Sequence, residues 1–275
     1  MNLNLKKTAY ELRDYTLDLI YGAKTGHIGG DFSEAEILTA LYFSVLRVDP
    51  ENPEDPARDY FILSKGHSME MYYAALTKRG FLDAEDVMNR YSRFGAPYIG
   101  HPNNKLPGIE MNSGSLGHGL PVAVGIAKGL QMDSKPNRVY VLMGDGELAE
   151  GSVWEGAMAA SHYKLDNLIA IVDRNRLQIS GPTEEVMHHD DLAARFTAFG
   201  WKAIVTDGND IDAVLKAFEE AQAVTGQPAV IIAETTKGKG VSFIENKAGW
   251  HHKVPSAEEY ELAKKELADR IAELS

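Results

Sequence analysis

The chain has 275 residues, enough for a sizeable core, and its 44% hydrophobic and 25% charged residues are those of an ordinary globular protein. A formal net charge of −12, without any basic run, excludes a phosphate-backbone binder, because non-specific nucleic-acid affinity comes from clustered Lys and Arg. The absence of cysteine removes disulfides, thiolate metal sites and a cysteine nucleophile.

Lys6, Lys7, Glu11, Arg13 and Asp14 interrupt what would be the apolar core of a signal peptide. No apolar run approaches the roughly 20 residues that span a bilayer, so the chain reads as soluble and cytoplasmic, with no membrane partner. Leu3 to Ala23 has helical spacing, with Leu5, Ala9, Leu12, Tyr15 or Thr16, and Leu19 on one face. A glycine-rich loop around His27 follows, from Lys24 to Gly30. Ser33 and Glu36 then have the spacing of a capping box that opens a helix to about Arg47. Asp49 to Asp59 is a proline- and acid-rich exposed loop, and Tyr60 to Leu63 a buried strand leading into Ser64-Lys65-Gly66-His67. Helices are expected over Met69 to Lys78, where a Met and Tyr stripe packs into the core, and over Ala84 to Tyr91.

Pro97 to Gly119 lacks periodicity and is dense in Gly, Pro and Asn; a long irregular stretch that ends in Asn112-Ser113-Gly114-Ser115-Leu116-Gly117-His118-Gly119 suggests function. It runs into an apolar helix, Leu120 to Leu130, and amides of a glycine-rich turn at a helix N-terminus suit a diphosphate. Val139 to Met143 and Leu168 to Val172 are β-branched runs joined by a helical segment with Val153, Trp154, Ala157, Met158, Ala160 and Ser161 on a mostly small, apolar face. That is a βαβ unit with parallel strands. Asp190 to Phe199 and Asp210 to Val224 read as helices, Lys202 to Val205 and Ala229 to Ala233 as strands, and a charged helix starts at Ser256. His188 and His189, followed by Asp190 and Asp191, read as helix-start residues rather than a metal site, because adjacent side chains project apart. No repeat or linker divides residues 1–275, and one α/β domain with a central parallel sheet and helices on both faces is the economical reading.

The βαβ unit carries the chemistry. Asp145, within Gly144-Asp145-Gly146, and Asn175 both lie just past a strand, at the carboxyl edge where open α/β sheets bind ligands. An aspartate, an asparagine amide and a nearby backbone carbonyl are oxygen donors suited to Mg²⁺, leaving further positions to phosphate and water. Four histidines, His27, His67, His101 and His251, sit in loops bounded by Gly or Trp, and imidazoles can exchange protons with hydroxyl and carbonyl groups near pH 7.

Residues 147–174, 28 in all, separate Gly146 from Asn175, a gap that resembles the thiamine diphosphate signature. With Gly26-His27, Gly29-Gly30, Leu63-Ser64-Lys65-Gly66-His67, Gly100-His101-Pro102, Gly114-Ser115-Leu116-Gly117, Glu150-Gly151, Asp173 and Trp250-His251 in order, the chain resembles the transketolase N-terminal, diphosphate-binding domain from its first helix to Lys253. The resemblance implies that Asp145, Asn175 and the Leu177 carbonyl bind Mg²⁺, with Ca²⁺ or Mn²⁺ as substitutes. It implies that His67, Gly114, Ser115, Leu116, Gly144, Gly146, Glu147, Lys237 and His251 contact thiamine diphosphate. His27, His101 and His251 would handle sugar hydroxyls and the acceptor aldehyde, and Glu150 would couple paired active sites across an interface.

Ile28 for the usual proline, His118 for a frequent glutamine and Asn112 for a common threonine depart from the family pattern near the substrate loops. Full transketolases continue into pyrimidine-binding and C-terminal domains. The resemblance therefore implies one subunit of a split transketolase, a transferase acting on sugar phosphates, with a second polypeptide in an α₂β₂ assembly. Two other readings stand beside it: an α-type subunit of another thiamine enzyme, such as a 2-oxo acid dehydrogenase or a deoxyxylulose-phosphate-synthase-like protein, and a non-catalytic subunit that retains the fold. The histidine set is what sugar hydroxyls explain and a 2-oxo acid does not require.

Overall fold

In a computed structural model, which describes residues 4–275, the apolar runs form a five-stranded sheet in the order β1-β2-β3-β7-β6. The chain first forms α1 (Leu5–Ala23), α2 (Ile28–Ser33), α3 (Ala35–Ala40), a π turn over Leu41–Val45, β1 (Tyr60–Leu63), α4 (Met69–Arg79) and α5 (Ala84–Arg90). It continues with α6 (Gly119–Met132), β2 (Val139–Gly144), α7 (Gly151–His162), β3 (Leu168–Arg174), and a hairpin of β4 (Leu177–Gln178) and β5 (Gly181–Pro182). Then come α8 (Thr183–Val186), α9 (Leu192–Ala198), β6 (Lys202–Asp207), α10 (Ile211–Gln222), β7 (Ala229–Glu234) and α11 (Ala257–Glu273).

Every pairing in the main sheet is parallel. Period-2 alternation divides each strand between two covered faces. Tyr140 and Leu142 of β2 join Ile169 and Ile171 of β3 in a layer with α1 to α4, α10 and α11, whereas Val139, Val141, Met143, Ala170 and Val172 pack on α6, α7 and α9. Each fully buried side chain of this kind contributes about 1.5–3 kcal/mol relative to exposure. Among the described residues, no helix is long and apolar enough to cross a membrane.

Most elements expected from periodicity appear within a residue or two of their boundaries, and the Met and Tyr stripe is core: Met69, Met71, Tyr72 and Tyr73 are buried. Leu3, the expected start of the first helix, lies outside the described residues; Asn4 caps α1 by accepting from Lys7 N at 3.1 Å. Asp191 and Asp210 cap α9 and α10, and Ser256 with Glu259 forms a capping box on α11.

Tertiary charge partners overturn the expected capping box at Ser33 and Glu36. Ser33 ends α2 instead, with its hydroxyl donating to Asp173 Oδ2 at 2.6 Å and lying 2.9 Å from Gly30 O. Glu36 is taken by the buried Arg13, two guanidinium nitrogens donating to its carboxylate at 2.7 and 2.6 Å. The glycine-rich stretch is correspondingly only partly a loop, since Ile28, Gly29 and Gly30 are helical. On α7 the buried face is Val153, Gly156, Ala157 and Ala160, and Met158 is turned to solvent. Asp59, expected in an exposed loop, is buried and accepts from Arg47 Nη2 at 2.6 Å.

Double coverage makes the middle of the sheet intolerant of lost volume. Ile171→Ala, at a fully buried position of β3, is expected to lower stability by about 2–5 kcal/mol. Val205→Ala, on the exposed edge strand β6, should stay within about 0.5 kcal/mol. Denaturant unfolding of both variants reads the contrast, and equal losses would contradict the layer assignment.

Candidate active site

Parallel register brings the two strand ends together, with Gly144 opposite Asp173. Asp145 and Asn175, just beyond them, therefore meet at the carboxyl edge, as their sequence positions require. The end of β1 delivers Ser64 to His67 beside them, and the end of β7 delivers Thr235 to Lys237. Together these ends wall a cleft of about 380 Å³. His27, His67, Gly114, Leu116, Gly144, Asp145, Gly146, Glu147, Asn175, Leu177, Lys237 and His251 all line it. At Gly146 the approach is close enough to demand glycine, for a Cβ there would sit 2.7 Å from the Gln178 side chain.

Three expected residues are not in that lining. Ser115 is exposed in the loop before α6, and Glu150 is exposed at the start of α7. His101 stands at the rim, its ring 6.5 Å from that of His27. The helix-terminus amides are also less available than the sequence suggests. Gly117 N donates to Glu147 Oε1 at 2.8 Å and Gly119 N to Ser64 Oγ at 3.1 Å, and Ser64 in turn donates to Glu147. Glu147 thus clasps the glycine-rich loop to the end of β2, where its other oxygen accepts from Gly144 N at 3.1 Å.

The imidazoles form one cluster, with His27 lying 5.2 Å from His67, 5.7 Å from His251 and 4.5 Å from His252, centre to centre. Burial, reinforced by His252 and His101, pulls His27 down to about 4, and burial with Lys237 pulls His251 down to about 3. Burial also holds His67 well below, and His101 below, the ordinary value. At neutral pH these four rings are uncharged, so each can donate and accept a hydrogen bond without adding charge. His27 Nδ1 is buried and has no partner.

The same cleft holds the oxygen donors. Asp145 accepts from Gly146 N at 2.8 Å and Arg176 N at 2.7 Å, and Asn175 Oδ1 accepts from Leu177 N at 3.2 Å. Burial, with the Asp173 charge behind it, raises the Asp145 carboxyl to about 6 against those amide donors. Lys237 Nζ donates to the Leu177 carbonyl at 3.0 Å and contacts His251 Nδ1 at 2.9 Å; burial and the Lys65 charge lower it to about 8. Among the described residues no three His, Asp or Glu side chains converge as a protein-only metal site. One buried carboxylate, an amide oxygen and a carbonyl oxygen instead fit a hard cation whose remaining positions come from a phosphorylated ligand.

Lys65 and Asp173 stand within the sequence motifs without a role of their own, and the structure makes them central. Lys65 Nζ contacts Asp173 Oδ2 at 2.5 Å, Glu34 Oε2 at 2.9 Å and Gly30 O at 3.0 Å, all out of water. Burial alone would raise Asp173, yet the ammonium and the Ser33 and Thr235 hydroxyls bring it below its ordinary value. Glu34, the more distant partner, is pushed by burial to about 7 despite Lys65. The hairpin residues Gln178, Ile179 and Ser180, which also line the cleft, carry no recognisable signal in the sequence; nor does His189, whose buried Nε2 lacks a partner.

Residues 5–270 match the family model described as transketolase, thiamine diphosphate binding domain. An apulose-4-phosphate transketolase subunit of Phocaeicola vulgatus is 49% identical over 262 residues, covering 95% of this chain and 93% of that protein. The 6-deoxy-6-sulfo-D-fructose transketolase subunit SqwG of a Clostridium species is 40% identical over 266 residues, 96% of each. The crystal structure of transketolase from Campylobacter jejuni superposes with a TM-score of 0.90 at 32% identity, over 98% of this chain but 43% of that one. This chain thus spans less than half the length of that solved transketolase. By its sequence and its fold, the chain belongs to the transketolase family, as a bearer of the family's thiamine diphosphate-binding domain.

Proposed function

We propose that this chain is the N-terminal subunit of a split transketolase, transferring a two-carbon ketol group from a ketose phosphate to an aldose acceptor with thiamine diphosphate and Mg²⁺, or Ca²⁺ or Mn²⁺ in its place. The observation that carries the reading is the one cleft that Asp145, Asn175 and Leu177 line together with the neutral imidazoles of His27, His67 and His251. Relatives that are themselves named as transketolase subunits support a second polypeptide. Residues 1–275 would be one diphosphate-binding domain, with the pyrimidine-binding and C-terminal domains on the partner of a cytoplasmic α₂β₂ heterotetramer.

In this reading thiamine diphosphate supplies, when bound, a nucleophilic carbon that takes the ketol fragment and hands it on. The protein binds and orients. Asp145, Asn175 and the Leu177 carbonyl hold the cation, while Gly114 to Leu116, Gly144 and Gly146 let the backbone approach the diphosphate. Glu147 keeps that loop in place. His67 and Lys237 contact the cofactor. His27, His101 and His251 donate to and accept from sugar hydroxyls and the acceptor aldehyde, holding or releasing a proton at an imidazole nitrogen. Glu150, exposed at the start of α7, would couple paired active sites at a contact between subunits. Relatives whose names carry apulose 4-phosphate and 6-deoxy-6-sulfo-D-fructose support a substrate panel wider than the pentose phosphates.

Native mass spectrometry of the chain isolated gently from its own cells should show a partner chain, thiamine diphosphate and a divalent ion; a chain that never carries any of these would count against the proposal. His251→Ala is expected to keep cofactor binding and lose about 10²–10⁴-fold in turnover, and full activity would remove His251 from its role. The pH dependence of binding follows from Asp145. A raised carboxyl is protonated below about 6, and a metal ligand must be ionised. Affinity for Mg²⁺ and cofactor should therefore fall as pH drops through about 6, with Asp145→Asn losing both the affinity and that pH dependence. Calorimetric titration on either side of this pH checks it, and a flat profile in the unmodified protein would contradict the metal assignment.

A further inference from the structure

Beneath the His27 loop lie two carboxyl groups that the proposed reaction does not use. Asp31, in α2, and Glu70, in α4, are fully buried. Asp31 reaches the start of α4 beside Glu70, whose charge acts on it, and one oxygen of each, Asp31 Oδ2 and Glu70 Oε2, is buried with no hydrogen-bond partner among the described residues. The other oxygens are engaged. Asp31 Oδ1 accepts from Met71 N at 3.0 Å, and Glu70 Oε1 accepts from the Tyr91 hydroxyl. The His27 loop packs directly on Glu70, since a Cβ placed on Gly26 would lie 2.8 Å from Glu70 Oε1.

Among the described residues the pair has no cation of its own. Lys65, the cation that acts on Asp31, is ion-paired with Asp173 and Glu34 at 2.5 and 2.9 Å. Glu34 adds further negative charge to Asp31, and Tyr91 and Tyr73 bring only neutral phenols to Glu70. Two ionised carboxylates close together in a buried interior repel strongly, and a proton held by the pair relieves both that repulsion and an orphaned oxygen. The same pair reaches a second histidine. The Tyr91 hydroxyl lies 3.4 Å from a Cβ placed on Gly100, and Tyr73 donates to Ile99 O at 3.0 Å, so these phenols brace the loop that carries His101.

We propose that Asp31 and Glu70 share one proton and act as a positioning pair, holding the His27 loop against α4 and, through Tyr91, steadying the His101 loop for the sugar substrate. Burial, ahead of repulsion from Glu70 and Glu34, keeps Asp31 well above its ordinary value, and burial brings Glu70 up to about 7. The sign follows. The folded chain binds this proton more tightly than the unfolded chain, so the pair's contribution is complete below the ordinary glutamate value of 4.5 and is lost as pH rises through about 7. Above it, a second buried negative charge loosens both histidine loops.

The sugar-positioning half rests on the ketol-transfer reading; the shared proton does not. Infrared spectra of the full chain below pH 7 should contain a protonated-carboxyl band that shifts and weakens in both Glu70→Gln and Asp31→Asn. The melting temperature of the unmodified chain should fall as pH rises through 7, and that of Glu70→Gln, whose amide carries no titrating proton, should fall less steeply. In the complex with its partner, Glu70→Ala should cost about 10- to 100-fold in kcat/KM with cofactor affinity retained, and Glu70→Gln should restore most of that loss. An unchanged band with parallel melting profiles would overturn the shared proton, and full activity in Glu70→Ala would overturn the positioning role. Absence of turnover in the unmodified complex, with band and melting profiles as expected, would sink the ketol-transfer reading alone. Should Glu70→Ala not fold, the two isosteric variants still decide the proton.

Discussion

The site depends on one buried ammonium. Lys65 leaves the end of β1 and, without contact to water, ties Asp173 at the end of β3 to Glu34 and the Gly30 carbonyl beside α2 and α3. Such an ion cluster is a poor source of net stability, because desolvating the charges offsets most of their attraction. Its effect is geometric. Removing Lys65 would leave two uncompensated buried carboxylates, so the strand ends and the glycine-rich helix are held at one spacing or not at all.

That charge also sets the character of the cleft. Lys65 acts on His27, His67, His251 and Lys237, in each case lowering the charged form, and burial does the rest. Asp173 likewise disfavours the charged form of Asp145, raising its carboxyl. The result is a cleft lined by neutral rings together with a buried carboxylate, which is the condition for hydrogen bonding to sugar hydroxyls and for cation binding in one place. Asp31 and Glu70 extend the pattern outward. Since Lys65 is occupied, their charge has to be handled by a proton, and the histidine loops are built on that solution.

Much of this was legible in the residues. The β-branched runs, the caps at Asp191, Asp210 and Ser256, and the positions of Asp145 and Asn175 just past their strands all follow from local rules, since periodicity and capping act within a few residues. Where local rules failed, a long-range partner had won. Ser33 and Glu36 have the spacing of a capping box, yet Asp173, 140 positions away, takes the hydroxyl, and Arg13 takes the carboxylate.

By itself, then, the sequence determined the α/β class, the parallel sheet and the carboxyl-edge site, together with nearly all of the residues around it. Only the tertiary structure decided which acids and bases are buried, which histidines are neutral, and that Ser115 and Glu150 stand outside the cleft. The division has a physical cause. Strand and helix patterns are written in neighbouring residues, whereas desolvation and charge pairing depend on side chains brought together from distant parts of the chain, as Lys65, Asp173 and Glu34 are.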